Sequence, residues 1–382
     1  MIHKGSVQTV LGPVAPDALG LTLPHEHVLV DMTLGACSSE ALIDQTESGK
    51  KAASVPEAGW EPGEDGPGTA ATWRAKWNQP ICLENRGDVA RNWFYYGDYK
   101  ISDIEDVIYE ANLFKLHGGG CLVDQTSIGL GRDPKGLQQV SRATGVHIVM
   151  ATSYYTQEYH PEHVAGLDIE ALEQRILRDL DRGVAGGVQA GIIGEVGLGT
   201  NIHPDEEKVL RASARAQRAS GAPLSVHPGF GPDAIWAAVR ILEDEQADLS
   251  RVVMCHCDHR LASRPAPNSF DPEPFLELAT TGMYLEFDCF GWEESYRQRS
   301  NVDAPNDAIR LNEIMALVEA GYDSKVLISH DIALQHWQRK YGGHGWQHIP
   351  ESVTALMRYK GFDEGLIQRI IVDNPREVLT IV

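Results

Sequence analysis

Short apolar runs alternate with longer stretches of helical spacing along most of the chain. The runs are LTLPHEHVLVD at 21–31, GGCLVDQT at 119–126, GVHIVMATSYY at 145–155 and AGIIGEVG at 190–197, then APLSVHP at 222–228, VVMCHC at 252–257, MYLEFD at 283–288 and VLISHD at 326–331. Near-continuous apolar runs of this length suit strands buried on both faces, as in a parallel sheet. The intervening stretches read as helices. Ser102 and Glu105 have capping-box spacing with Ile101 as a staple. Pro204 and the acids at 205–207 open another helix, which Gly221 closes. Residues 169–183 and 307–320 also have helical apolar spacing. Repeated strand–helix units form right-handed parallel α/β folds, and eight of them predict one (β/α)8 barrel, an α/β TIM barrel spanning 1–382. A doubly wound sheet is the rival, but no G-x-G-x-x-G follows an early strand.

Residues 33–100 break this rhythm. Positions 45–72 are rich in Ser, Gly, Glu, Ala and Pro, and the later part carries Trp73, Trp77, Trp93, Phe94, Tyr95, Tyr96 and Tyr99. So long a connection after the first barrel strand is functional or disordered. Emerging on the catalytic face, it reads equally as a lid or as a dimer contact, since aromatics enrich interfaces.

Composition narrows the class. Of 382 residues, 42% are hydrophobic and 23% charged, enough for a large core. Fifty-four acids against 33 Lys and Arg give a net charge of −21, which argues against nucleic acid or an anionic membrane as partner. No apolar stretch reaches the length of a membrane span, and the N-terminus shows no signal-peptide pattern. Six cysteines do not make a disulfide scaffold and suggest a cytoplasmic location. A soluble acidic enzyme remains the simplest expectation.

The candidate chemistry lies in the polar residues of the apolar runs. His25 and His27 are two apart, so on a strand both rings face the same way. Glu195 interrupts IIGEVG, His227 ends PLSVH, His256 ends VVMCH and Asp331 ends VLISHD. Each occupies the C-terminal end of a predicted strand, where barrel active sites are built. Singly, such residues read as hydrogen-bonded structural groups or helix caps. Together they would carry a heavy burial cost unless they share a cation. Four His and two acids suit zinc, with Mn, Co or Fe also accepted. Six ligands exceed one tetrahedral shell, so two divalent ions about 3.5–4 Å apart fit better. The expected assignment is His25, His27 and Asp331 to one ion, His227 and His256 to the other, and Glu195 as the bridge. A bridging hydroxide would attack, and Asp331 would move its proton to the leaving group.

Around this set, Asp288 is expected to face the site, as substrate contact or as an anchor for a ligand. Alternation lets only one of Tyr154 and Tyr155 point inward; Tyr155 is taken as the pocket residue. His330 reads as structural. His344, Trp346 and His348, in the loop after the last strand, border the site or simply pack, and Trp346 is taken as a pocket wall. Cys255 and Cys257 alternate away from the lumen, which leaves their sulfurs against helices.

The constellation resembles the phosphotriesterase-related branch of the amidohydrolase superfamily over nearly the whole chain. The likeness runs from SVQTVLGPVAPDALGLTLPHEHVLVD at 6–31 through GIIGEVG, SGAPLSVHPG, RVVMCHCD, YLEFDCFG and ISHD. It continues in YGGHGWQHI at 341–349 and DNPREVL at 373–379. It implies a (β/α)8 barrel, a binuclear zinc-type centre, a small-molecule substrate and, often, a homodimer. It also implies hydrolysis of an amide or carboxylic ester, such as an N-acyl compound. A lactone or phosphotriester is the alternative bond, and a non-catalytic metal-stabilised binding barrel the alternative class. Paraoxon hydrolases bridge their metals with a carboxylated lysine; Glu195 occupies that position here. Where mammalian-type relatives have a basic residue after the strand-five His-Pro-Gly, this chain has Phe230, which points to a less anionic substrate. His259 stands where paraoxon hydrolases have an acid, so Asp258 or His259 is the expected substitute in proton relay and pocket lining.

Overall fold

The computed structural model describes residues 2–34, 79–91, 96–262, 270–293, 296–297, 302–303 and 305–382. Residues 45–72, Trp73, Trp77, Trp93, Phe94 and Tyr95 lie outside the described residues.

Eight parallel strands follow one another around a single sheet in chain order. They are β1 (Leu21–Glu26), β2 (Gly119–Asp124), β3 (His147–Thr152), β4 (Ile192–Gly197), β5 (Leu224–His227), β6 (Val252–Met254), β7 (Tyr284–Phe287) and β8 (Val326–Ile328). The ring is completed where the chain after β8 meets β1. The Asp331 amide donates to the His25 carbonyl at 3.1 Å, and the Ser329 hydroxyl donates to the same oxygen at 2.7 Å. Helices alternate with the strands: α1 (Ile104–Leu116), α2 (Pro134–Thr144), α3 (Ile169–Asp181), α4 (Pro204–Ser220), α5 (Pro232–Asp244), α6 (Glu273–Ala279) and α7 (Asp307–Glu319). Leu122, Ile148, Val226 and Leu285 are fully buried in the core, as expected for strands covered on both faces. The fold is thus the predicted (β/α)8 barrel.

Local chemistry explains most helix ends. Pro204 begins α4 with Asp205, Glu206 and Glu207 in its first turn, and Gly221 ends it at φ 74, a left-handed conformation a side chain would strain. The start of α1 corrects the sequence reading. Asp103, not Ser102, is the N-cap, and its carboxylate accepts the amides of Glu105 and Asp106 at 3.0 and 3.3 Å. A carboxylate satisfies two of the free amides and complements the helix dipole better than a hydroxyl one residue earlier.

Strand lengths also differ from expectation. Strands read as running to 31, 155, 257 and 331 stop at Glu26, Thr152, Met254 and Ile328. The polar residues beyond those points leave the ladder and turn across the mouth of the barrel. After β1 the chain pairs once more, Val30 opposite Ile101 and Asp31 opposite Lys100, antiparallel. The Lys100 ammonium lies 2.7 Å from the Asp31 carboxylate. The long connection therefore departs and returns at one place. Its returning end is anchored on the segment after β8, where Asp98 accepts the His336 amide at 2.8 Å. Among the described residues no helix is long and apolar enough to cross a membrane.

Candidate metal centre

At the C-terminal mouth of the barrel, His25, His27, Glu195, His227, His256 and Asp331 converge although they come from five strands. The His25 and His27 rings are 5.8 Å apart, and the His227 and His256 rings 4.5 Å apart. Glu195 lies between the two pairs. Its Oε1 is 3.4 Å from His27 Nε2, while Oε2 is 3.5 Å from His25 Nε2, 3.0 Å from His227 Nδ1 and 3.4 Å from His256 Nε2. Asp331 Oδ1 sits 3.2 Å from His27 Nε2 and 3.6 Å from His25 Nε2. Its side chain is 12% exposed against 3% for Glu195, so Asp331 is the ligand-type carboxylate more open to a reactant.

Alternation along β1 aims these rings. Glu26, between the two histidines, points the other way and ties β1 to the segment after β8: it accepts from the His330 amide at 3.0 Å and from His330 Nδ1 at 2.7 Å. His330 is thereby structural. Partners behind the rings fix their free nitrogens. His25 Nδ1 faces Asp288 Oδ2 at 3.0 Å and Glu286 Oε2 at 3.1 Å. His27 Nδ1 lies 3.0 Å from Thr126 Oγ1, whose own proton goes to Asp124. His256 Nδ1 lies 2.8 Å from Asp288 Oδ1. With a proton on each Nδ1, the Nε2 lone pairs of these three rings face the centre. His227 is turned over, with Nδ1 toward Glu195 and Nε2 toward Arg260, while the Tyr155 hydroxyl lies 3.2 Å from Nδ1 and 3.3 Å from Nε2.

Asp288 was expected either to contact substrate or to anchor a ligand, and its contacts are those of an anchor. It is fully buried, with Oδ1 engaged by His256 Nδ1 and Oδ2 by the His256 amide and His25 Nδ1, so neither oxygen reaches a ligand. It orients two of the rings. His256 and Asp331 adopt φ 55 and 52, the left-handed region that non-glycine residues rarely occupy. Such strain persists only where the surroundings impose it. Here the Asp288 and His25 backbone contacts do so.

The electrostatics suit a cation. Burial opposes charge on His27, but Asp331 and Glu195 outweigh it and raise its pKa to about 9. Burial is likewise overcome at His256 by Asp288, Glu195 and Asp331, which raise it to about 10. Burial, helped by Arg260 and His256, instead lowers His227 to about 3 against the pull of Glu195. Despite burial, His25 and His227 hold Glu195 well below the usual carboxylate range, whereas burial keeps Asp331 raised. The Nε2 of His25 is buried without a hydrogen-bond partner. An orphaned imidazole lone pair beside two carboxylates fits a divalent ion of the zinc, manganese, cobalt or iron kind. His25, His27 and Asp331 form one compact donor group, and His25, Glu195 and His256 another. His25 also lies with Cys255, Glu286 and Asp288, but burial pushes the Cys255 thiol up, so this side holds a protonated sulfur and serves as the anchor.

Aromatic rings flank the centre beside His227. Tyr155 points inward, its ring 4.7 Å from that of His227, while Tyr154 turns away with its hydroxyl 3.2 Å from His163 Nε2. Gly197 in β4 makes this turn possible, since a Cβ there would come within 2.2 Å of the Thr156 amide. Phe230 packs edge-on to His259 at 5.5 Å, and His259 to Trp292 at 5.9 Å. Trp346 does not wall the pocket as expected; it is 1% exposed within the core, and Trp292, stacked at 4.4 Å on Trp337, stands beside His259 instead. The Gly-supported loop folds inward, which the sequence left open. His348 is bonded to Asp307 at 2.7 Å, and His344 packs against Gly291. Asp258 is not available as a proton relay: it is fully buried and bound to Arg310 at 2.7 Å and to the Cys289 amide at 3.2 Å.

Glu286, Thr126, Trp292 and Arg260 all escaped the sequence reading. Arg260, four residues after His256, places its guanidinium 3.7 Å over the Phe230 ring and 3.0 Å from His227 Nε2. The signal was a cation just past a strand end, but only the fold shows that it turns inward.

Comparison with known proteins agrees with this geometry. A family model described as the phosphotriesterase family matches residues 5–379. The chain is 33% identical over 381 residues to N-acetyltaurine hydrolase of Rattus norvegicus, covering 99% of this chain and 98% of that one. It is 34% identical over 379 residues to a phosphotriesterase-related protein of Nematostella vectensis, covering 99% of both. Among solved structures it superposes on a resiniferatoxin-binding protein of Rhodobacter sphaeroides with TM-score 0.84 and 30% identity, covering 99% of this chain and 96% of that one.

Proposed function

The chain belongs to the phosphotriesterase family and is a metal-dependent hydrolase, and we propose that it uses two divalent ions, zinc by preference, to cleave a small N-acyl amide or carboxylic ester. The observation that carries the two-ion reading is Glu195, set with one oxygen toward His27 and the other toward His227 and His256. His25, His27 and Asp331 would hold one ion, His227 and His256 the second, and Glu195 would reach both. Ions held there would supply Lewis acidity, lowering the pKa of a water and polarising a carbonyl.

The chain's own groups do the rest. Asp288, Glu286 and Thr126 hold the rings at the correct tautomer. Asp331, the more exposed carboxylate with its proton affinity raised by burial, takes the proton of the attacking water and delivers it to the leaving nitrogen or oxygen. Tyr155, His259 and Phe230 line the pocket and keep bulk water from the reacting carbonyl. The amide preference is supported by the relative named N-acetyltaurine hydrolase. Homodimer formation and a cytoplasmic location belong to the same proposal, the second supported by five described cysteines that are all unpaired.

The test is reconstitution. Metal-stripped protein given about two equivalents of zinc is assayed on p-nitrophenyl esters, lactones, N-acyl amino acids and paraoxon. Metal-dependent cleavage of N-acyl compounds or esters is the expected outcome. No turnover at full occupancy would leave a metal-stabilised binding barrel, and saturation at one ion per chain would remove the bridge.

A further inference from the structure

Among the described residues, Arg260 is a buried cation next to the centre whose Nε has no hydrogen-bond partner. It lies in the tight turn Cys257–Leu261 after β6 and is fixed by its backbone: its amide donates to the His256 carbonyl at 2.6 Å, and its carbonyl accepts the Gly231 amide at 2.9 Å. The guanidinium is stacked on Phe230, and the Phe230 amide is held by Thr200 Oγ1 at 3.0 Å. Among the described residues no carboxylate lies within ion-pair distance of the guanidinium, which meets His227 Nε2 at 3.0 Å.

That contact is conditional. His227 aims Nδ1 at Glu195 and the centre. An ion on Nδ1 requires the ring proton on Nε2, because a neutral imidazole carries one. Nε2 then becomes a donor. It can donate to the Tyr155 hydroxyl, 3.3 Å away, but can no longer accept from Arg260. The guanidinium is left with unmet donors over an aromatic face, beside the metal centre. A confined cation in that state is costly unless an anion meets it.

We propose that Arg260, on its Phe230 platform, is a specificity residue that binds an oxyanion on the substrate, a carboxylate or sulfonate a short linker away from the scissile carbonyl. This rests on the hydrolase reading above and names its substrate class. It also reverses the expectation drawn from Phe230. The aromatic ring at that position does not make the pocket neutral; it carries a cation supplied from the neighbouring strand end.

The experiment uses metal-reconstituted protein and three N-acyl amines: N-acetyl-β-alanine, N-acetyltaurine and uncharged N-propylacetamide. The anionic pair is expected to exceed the neutral compound in kcat/KM by about 30-fold, the scale of charge-assisted hydrogen bonds. Arg260→Gln should narrow that ratio to about threefold or less, mainly through KM, while Arg260→Lys restores part of it. Phe230→Leu, which keeps the charge but removes the platform, should give an intermediate ratio. The two anions separate carboxylate from sulfonate preference. Calorimetric titration with 5-oxohexanoate, a non-hydrolysable ketone isostere of N-acetyl-β-alanine, against 5-oxohexanamide reads binding without turnover. Wild type should favour the acid and Arg260→Gln should not. Equal binding of acid and amide by wild type, or an acid preference that survives Arg260→Gln, overturns the proposal. Hydrolysis of all three amides at similar rates would preserve the hydrolase reading and sink the anion site. Arg260-dependent binding of oxohexanoate without hydrolysis of any amide would do the reverse.

Discussion

Three carboxylates in the site have distinct surroundings and should fail differently when neutralised. Glu195 touches both pairs of rings, so Glu195→Gln should lower bound metal and activity together, read by elemental analysis beside kcat; full occupancy would remove the bridging role. Asp331 is the more exposed, so Asp331→Asn should retain some metal yet lose about 10²–10⁴-fold in kcat. Asp288 touches no ligand space, so Asp288→Asn should cost about 10–100-fold in metal affinity or activity through misorientation of His25 and His256. Glu195 and Asp331 were legible because each stands out in an apolar run. Asp288 stood out too, but its role depended on which atoms came behind it.

At the level of elements, the segments after the strands decide the site more than the strands do. His256 and Asp331 are placed by left-handed turns past β6 and β8, and the loop after β8 is built from packed histidines. His344 in that loop is buried between His330 and His348, with Trp337 and Gly291 alongside and Asp307 and His336 nearby. Burial first, then the like charges of His330 and His348, hold its pKa well below the usual value. A histidine depressed in the folded state takes its proton only on unfolding. The unfolded chain therefore binds more protons below about pH 6.5, and stability is lost as pH falls through that value. Between pH 6.5 and 5.0, His344→Asn should lose about 1.5 kcal/mol less than wild type, read as the difference between denaturant midpoints along the pH series. Parallel pH profiles would show that His344 does not titrate on unfolding.

On the scale of the whole barrel, the centre draws ligands from strands spread over the sequence, so an ion binds the folded chain far better than the unfolded one. At a free metal concentration about 100-fold above Kd, each ion contributes about 2.7 kcal/mol, so two ions contribute about 5.4 kcal/mol. For a chain of this length that corresponds to about 7 °C in Tm. Chelation should lower Tm by about this amount, scaling with the logarithm of free metal; a Tm indifferent to chelator would mean that the folded chain binds no ion tightly. The net charge of −21 is not consumed by the site, whose acids are few.

The sequence by itself determined the barrel and the identity of the converging donors. Both are written in local periodicity: apolar runs at strand length, helical spacing between them, and polar residues at the run ends. Boundaries were less legible, because Asp103 and Ser102 compete for one cap and polar residues past a strand do not say where the ladder stops. Only the tertiary structure decided which nitrogen each histidine turns inward, that Asp288 anchors rather than binds, that Trp346 sinks into the core and that Arg260 lies on Phe230. Those outcomes depend on contacts between residues some 30 to 300 positions apart. Local periodicity carries no information about such distances until the closed sheet brings the strand ends to one mouth.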